Sequence, residues 1–199
     1  HIIKNTFLNS RSVTFGNHSI IAPVWDLVNH QVVSLPFIRT PDGLSTPNYP
    51  PLNGEITFSY NNKSSLNRFF LYSFFTKETI VFSFPFSIPI KTLGINFTCK
   101  GKEIKDDSIK IESSPYEIII EGLPIADVNQ PRLPIHYFEQ ILMEISEFQI
   151  PKSIFSEIID FNNLARKEIV KESNLIDNEV SNMLSEIINY EIKLISIYN

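Results

Sequence analysis

The sequence predicts an α+β fold, β-rich in its first part and helical in its last, and three observations carry that expectation. Short β-prone runs separated by turn-rich stretches occupy the first half. After Pro134 the apolar residues recur at helical spacing instead. The composition, 43% hydrophobic and 20% charged over 199 residues, is that of a globular chain able to bury a core. That length suits two small domains, which we expect at 1–90 and 91–199.

Three early runs have strand character: Ser12-Val13-Thr14-Phe15, Gln31-Val32-Val33-Ser34-Leu35 and Glu55-Ile56-Thr57-Phe58-Ser59-Tyr60. Between the last two, Arg39 to Pro51 carries Pro41, Gly43, Pro47, Pro50 and Pro51 and reads as a surface loop. Ser64 to Phe74 reads as a serine-capped helix with Leu66, Phe69, Phe70 and Ser73 on one face. Ile80 to Ile88 returns to strand character, and Pro85 and Pro89 confine it to an edge. Glu117 to Glu121 is a further short strand, ended by Gly122.

The helical part shows three stripes. Phe138, Ile141, Leu142 and Ile145 form the first, and Pro151 separates them from Ile154, Phe155, Ile158, Ile159 and Leu164. Val180, Met183, Leu184, Ile187, Ile188 and Leu194 form the third. Three such faces suit a small bundle, and the charged positions between the stripes read as solvated faces.

Several function classes fall away on composition. A net charge of -5, with no dense Lys/Arg block, argues against nucleic acid as partner, since that binding neutralises phosphates. No apolar run reaches the length needed to span a bilayer, and the start does not read as a signal peptide, so we expect no membrane and a cytoplasmic or nuclear location. The lone Cys99 excludes an intrachain disulfide and a cysteine-rich zinc cluster. The four histidines lack metal-ligand spacing, so no metal is expected.

Two segments carry chemistry. The first is Pro23-Val24-Trp25-Asp26-Leu27-Val28-Asn29-His30; the second is Gly54-Glu55-Ile56-Thr57-Phe58-Ser59-Tyr60, followed by Ser64-Ser65-Leu66-Asn67 and Tyr72-Ser73-Phe74. Alone, Asn29 and His30 would close a turn, and Tyr60 would be a ring at a strand end with a wet hydroxyl. Together, in this order, they resemble the SET-domain methyltransferases of the branch holding the Rubisco large-subunit lysine methyltransferase and the actin histidine methyltransferase. That branch has Pro-x-x-Asp-x-x-Asn-His, then Gly-Glu-x-(three or four residues)-Tyr-Gly, then a Ser-Asn-Ala-Glu helix ending in Tyr-Gly-Phe.

The resemblance implies the carboxyl-terminal part of a β-rich SET fold followed by an all-α, substrate-binding-like domain. It implies an S-adenosyl-L-methionine-dependent methyltransferase acting on a protein lysine, or on a histidine as Trp25 suggests. Asn29 and His30 would hold the cofactor, Tyr60 would be the catalytic tyrosine, and Trp25 and Tyr72 would line the channel for the target side chain. The Gly-x-Gly stretch with which that branch begins is not in this sequence. The expectation is therefore that the chain partners the amino-terminal part of the same protein, and binds the cofactor poorly by itself. Asn61, Ser65 and Ser73 depart from the pattern, and these departures leave open a second reading, a non-catalytic SET-like module that binds another protein.

Overall fold

The computed structural model describes residues 12–15, 18–21, 28–32, 34–45, 56–59, 63–72, 75–91, 93–101, 110–145, 150–151, 153–173, 175 and 178–198. They form an α+β protein whose contacts group into two compact units, His1–Asn62 with Asn67–Thr76, and Lys63–Leu66 with Lys77–Asn199.

The first unit is built from paired short strands. β1 (Ser12–Phe15) and β2 (His18–Ile21) are antiparallel, with Ser12 opposite Ile21 and Phe15 opposite His18. β3 (Asn29–His30) pairs in parallel with β6 (Thr57–Phe58). Between them β4 (Ile38–Thr40) and β5 (Gly43–Ser45) make an antiparallel hairpin where a loop is expected from the sequence. Pro41 and Asp42 suit the two turn positions, and the Thr40 hydroxyl donates to the Gly43 carbonyl at 3.1 Å. Among the described residues of the expected strand at Gln31–Leu35, none is in a strand. The strand preference of Val32 is overridden by a turn in which the Ser34 N–H donates to the Gln31 carbonyl at 3.1 Å. Helix α1 (Ser65–Tyr72) follows, as the serine cap and apolar spacing predict; its first two residues, Ser65 and Leu66, belong to the second unit and the rest to the first.

The second unit begins with β7 (Ile80–Phe82) and β8 (Phe86–Ile90), so the predicted run at Ile80–Ile88 breaks across Ser83–Pro85. β9 (Ile95–Cys99), β10 (Lys110–Ser113) and β11 (Glu117–Glu121) join β8 in a four-stranded sheet ordered β10-β11-β9-β8. β9 and β11 run parallel and the outer pairs are antiparallel. β8 is an edge strand, where Pro89 costs no ladder bond on its outer side. β12 (Pro124–Asp127) pairs antiparallel with β7. Gly101 and Gly122, at φ 78 and 76, turn the chain out of β9 and β11, and the Gly122 N–H donates to the Gly101 carbonyl at 2.7 Å.

Three helices complete it: α2 (Leu133–Glu144), α3 (Ile154–Ser173) and α4 (Asn178–Ile195), the last running into a 3-10 turn at Ser196–Tyr198. Alternation in β9 sends Ile95, Phe97 and Cys99 inward, and β11 adds Ile118 and Ile120. Phe97 meets Phe138 of α2 at 6.2 Å between ring centroids, and Phe138 meets Phe155 of α3 at 5.1 Å. The helices therefore share one core with the sheet, an arrangement that helical periodicity alone does not specify. Each fully buried Ile or Phe contributes about 1.5–3 kcal/mol to it.

Candidate functional site

The two sequence motifs meet in the β3–β6 ladder. Asn29 stands opposite Thr57 and His30 opposite Phe58, and the Gln31 N–H extends the pairing to the Phe58 carbonyl at 2.9 Å. A parallel pair of two residues each has little stability of its own. Side chains strengthen it: the Thr57 hydroxyl donates to Gln31 Oε1 at 2.9 Å and shares a buried hydrogen bond with the Ser34 hydroxyl. Phe58 is 2% exposed and meets the Phe37 ring at right angles, with centroids 6.5 Å apart. The Ser59 N–H donates to the Leu35 carbonyl at 3.3 Å, which ties the strand end to the Gln31–Ser34 turn.

On this scaffold Asn29 is exposed and His30 half-buried. An exposed amide, able to donate and accept, beside a partly covered imidazole can meet a polar ligand that has a flat aromatic ring. Thr57 is buried while its neighbour Ile56 is 53% exposed, so this strand does not follow the simple apolar alternation of its sequence. The hydroxyl network around Thr57 is the physical reason.

Helix α1 carries Tyr72 at its last residue, half-buried, with the Arg68 guanidinium 5.8 Å from the ring centroid one turn earlier. At the other end, Ser65 and Leu66 are 1% exposed. The Ser65 hydroxyl accepts the Glu78 N–H at 3.0 Å. Ser65 is one of the three departures from the SET pattern, and here it has a structural task.

Of the predicted site residues, Asn29, His30 and Tyr72 are described; Trp25 and Tyr60 lie outside the described residues, as do Asn61 and Ser73. The ladder brings Asn29 and His30 beside Thr57 and Phe58 of β6. Sequence reasoning missed Gln31, Ser34 and Thr57, which fix that register. The available signal is a polar trio within the two segments that hold the motifs.

Elsewhere, an open depression of about 640 Å³ lies against β8 and β9, lined by Pro85, Phe86, Ser87, Thr98, Lys100 and Glu121. Thr98, one of its lining residues, donates its hydroxyl to Glu117 at 2.7 Å. Among the described residues no three His, Cys, Asp or Glu side chains converge to hold a metal ion, and no helix is long and apolar enough to cross a membrane. No protein-family model, no curated protein and no solved structure matches the chain.

Proposed function

We propose that this chain carries the Asn-His and tyrosine motifs of an S-adenosyl-L-methionine-dependent protein methyltransferase of SET type, acting on a lysine or histidine side chain of another protein. The observation that carries the reading is the parallel register of Asn29 with Thr57 and His30 with Phe58. Two motif segments far apart in sequence share one ladder, and their order along the chain resembles that of SET enzymes.

In this reading Asn29 and His30 hold the cofactor, which supplies a methyl carbon activated by a sulfonium. The chain's own part is alignment, because an in-line displacement is governed by how the nitrogen, the carbon and the leaving sulfur are held. A lysine acceptor has to lose its proton first, against an ordinary pKa of about 10.4. A dry channel disfavours the ammonium, and Tyr60 orients the neutral amine through its hydroxyl. Trp25 and Tyr72 line the channel, which sets the acceptor's approach.

The test is a methyl-transfer assay with labelled S-adenosylmethionine on the natural full-length protein, with Tyr60→Phe beside it. Label entering a protein acceptor, reduced by about 10²-fold or more in Tyr60→Phe, supports the assignment. Binding of S-adenosylmethionine is read in parallel by calorimetry. No binding by the full-length protein overturns the enzyme and leaves the non-catalytic interaction module.

A further inference from the structure

Helix α1 is only eight residues long, and a helix of that length is not stable in isolation. Its first turn holds no acidic residue to complement the partial positive charge of its N-terminus. A carboxylate is supplied from the far end of the sequence: Glu191 Oε1, on α4, accepts the Leu66 N–H at 2.8 Å in a buried hydrogen bond. The preceding residue acts on the same helix start by a second route. The Tyr190 hydroxyl donates to the Glu78 carbonyl at 2.8 Å, and the N–H of Glu78 donates to the Ser65 hydroxyl. The Glu78 residue is thus gripped on both sides, by α4 through its carbonyl and by α1 through its amide.

Glu191 is itself held. Its Oε2 accepts from Arg166 Nε at 3.0 Å, and both side chains are buried. Arg166 spends its remaining donors on the Asn162 side-chain oxygen at 2.9 Å, the Asn162 carbonyl at 3.3 Å and the Phe82 carbonyl at 3.1 Å, and it lies over the Phe84 ring at 4.2 Å. Asn162 in turn accepts the Phe84 N–H at 2.9 Å and donates to the Ser83 hydroxyl at 2.9 Å. A buried ion pair is a poor source of net stability compared with apolar side chains of the same volume, and its best-attested use is to specify one arrangement.

From this geometry we infer that α4 is a clamp for α1, with Glu191 and Tyr190 as positioning residues that fix where the helix ending in Tyr72 begins. The C-terminal helix then governs the order of the helix that lines the acceptor channel. Its link to the channel rests on the proposed function; the clamp itself does not.

Amide hydrogen exchange, read by mass spectrometry on the full chain, tests the clamp without any methyl transfer. Tyr190→Phe removes one hydroxyl, Glu191→Gln keeps the shape and removes the charge, and Tyr198→Phe is the control. Tyr198 also bonds a backbone from a partly buried hydroxyl, at Asp127 of β12. The clamp predicts exchange about ten-fold faster over Leu66–Tyr72 in Tyr190→Phe, with Ile118–Ile120 unchanged and no such effect in Tyr198→Phe; in Glu191→Gln, which also strands buried Arg166, the rise over Leu66–Tyr72 exceeds any rise over Ile118–Ile120. Unaltered exchange over Leu66–Tyr72, or a rise matched by Ile118–Ile120, overturns it. Should Glu191→Gln fail to fold, Tyr190→Phe decides alone. Absence of methyl transfer in the native protein would remove the proposed function and leave this result standing.

Discussion

Arg166 Nε lies 3.0 Å from Glu191 Oε2, and neither side chain reaches solvent. Burial pulls the Arg166 pKa down, while the charge of Glu191 and its hydrogen bond push it back up. A guanidinium stays protonated in such a site, so the pair is ionic. Truncating one partner strands the other. Glu191→Ala and Arg166→Met should each cost about 3–5 kcal/mol of stability. The double variant Arg166→Met/Glu191→Leu should cost less than their sum by about 1–3 kcal/mol, measured by urea unfolding. Simple additivity would show that the two side chains act independently.

Alkaline pH should unfold the protein earlier than its net charge suggests. Burial raises the Cys99 thiol pKa against opposing hydrogen bonds from the Gly101 and Leu123 backbone and Ser83. Burial likewise raises Tyr190, helped by the carboxylates of Glu78 and Glu191, and raises Tyr198. In each case the native state holds the proton more tightly than the unfolded chain does. The stability these groups contribute is therefore complete below their ordinary values and is lost as pH rises through about 9 to 10 and beyond. Urea midpoints should hold level from pH 7 to about 8, then fall towards pH 10.5. In the same samples Cys99 should react with a thiol reagent only as fast as the protein opens.

Thr57→Val keeps the side-chain shape and removes the hydroxyl that bonds Gln31 and Ser34. Leaving those two groups without it should cost about 1–3 kcal/mol. The effect should be local: the NMR signals of the Asn29 side-chain amide and the His30 ring should broaden or split, while those of Ile118 and Ile120 stay in place. Unchanged Asn29 and His30 signals would mean that the β3–β6 register is set by the backbone alone.

The α+β class was legible because the hydrophobic period changes along the chain, and the β11 and α1 spans follow their sequence signals closely. The helix interiors were legible only in part. On α3 the stripe of Ile154, Ile158 and Ile159 is buried, but Leu164 is 61% exposed, and the buried face continues through Asn162 and Arg166. On α4 Glu191 follows Ile187 and Ile188 on the same buried side. Charged positions read as solvated faces thus include two of the most deeply buried side chains. Their spacing was the available signal: Asn162 and Arg166 sit four and eight residues after Ile158, and a polar residue on an apolar stripe implies a partner on another element.

The candidate site divides the same way. The Asn-His and Gly-Glu motifs were visible as residues, yet the parallel pairing of Asn29 with Thr57 was not, because parallel partners lie far apart in sequence. The hairpin at Ile38–Ser45 was hidden by the prolines around it, which are compatible with a turn as well as with a loop.

Among the described residues no strand pairs with the outer side of β8 or of β10, and each side refuses a newcomer. Along β8 the tertiary nitrogen of Pro89 has no hydrogen to offer an added strand. Along β10 the strand is four residues long and carries exposed Lys110 and Glu112, so a flat apolar segment would find charge where it needs a dry face. Concentrated solutions of the folded protein should therefore stay clear of edge-to-edge fibre growth through this sheet, and any route to amyloid has to begin by unfolding it.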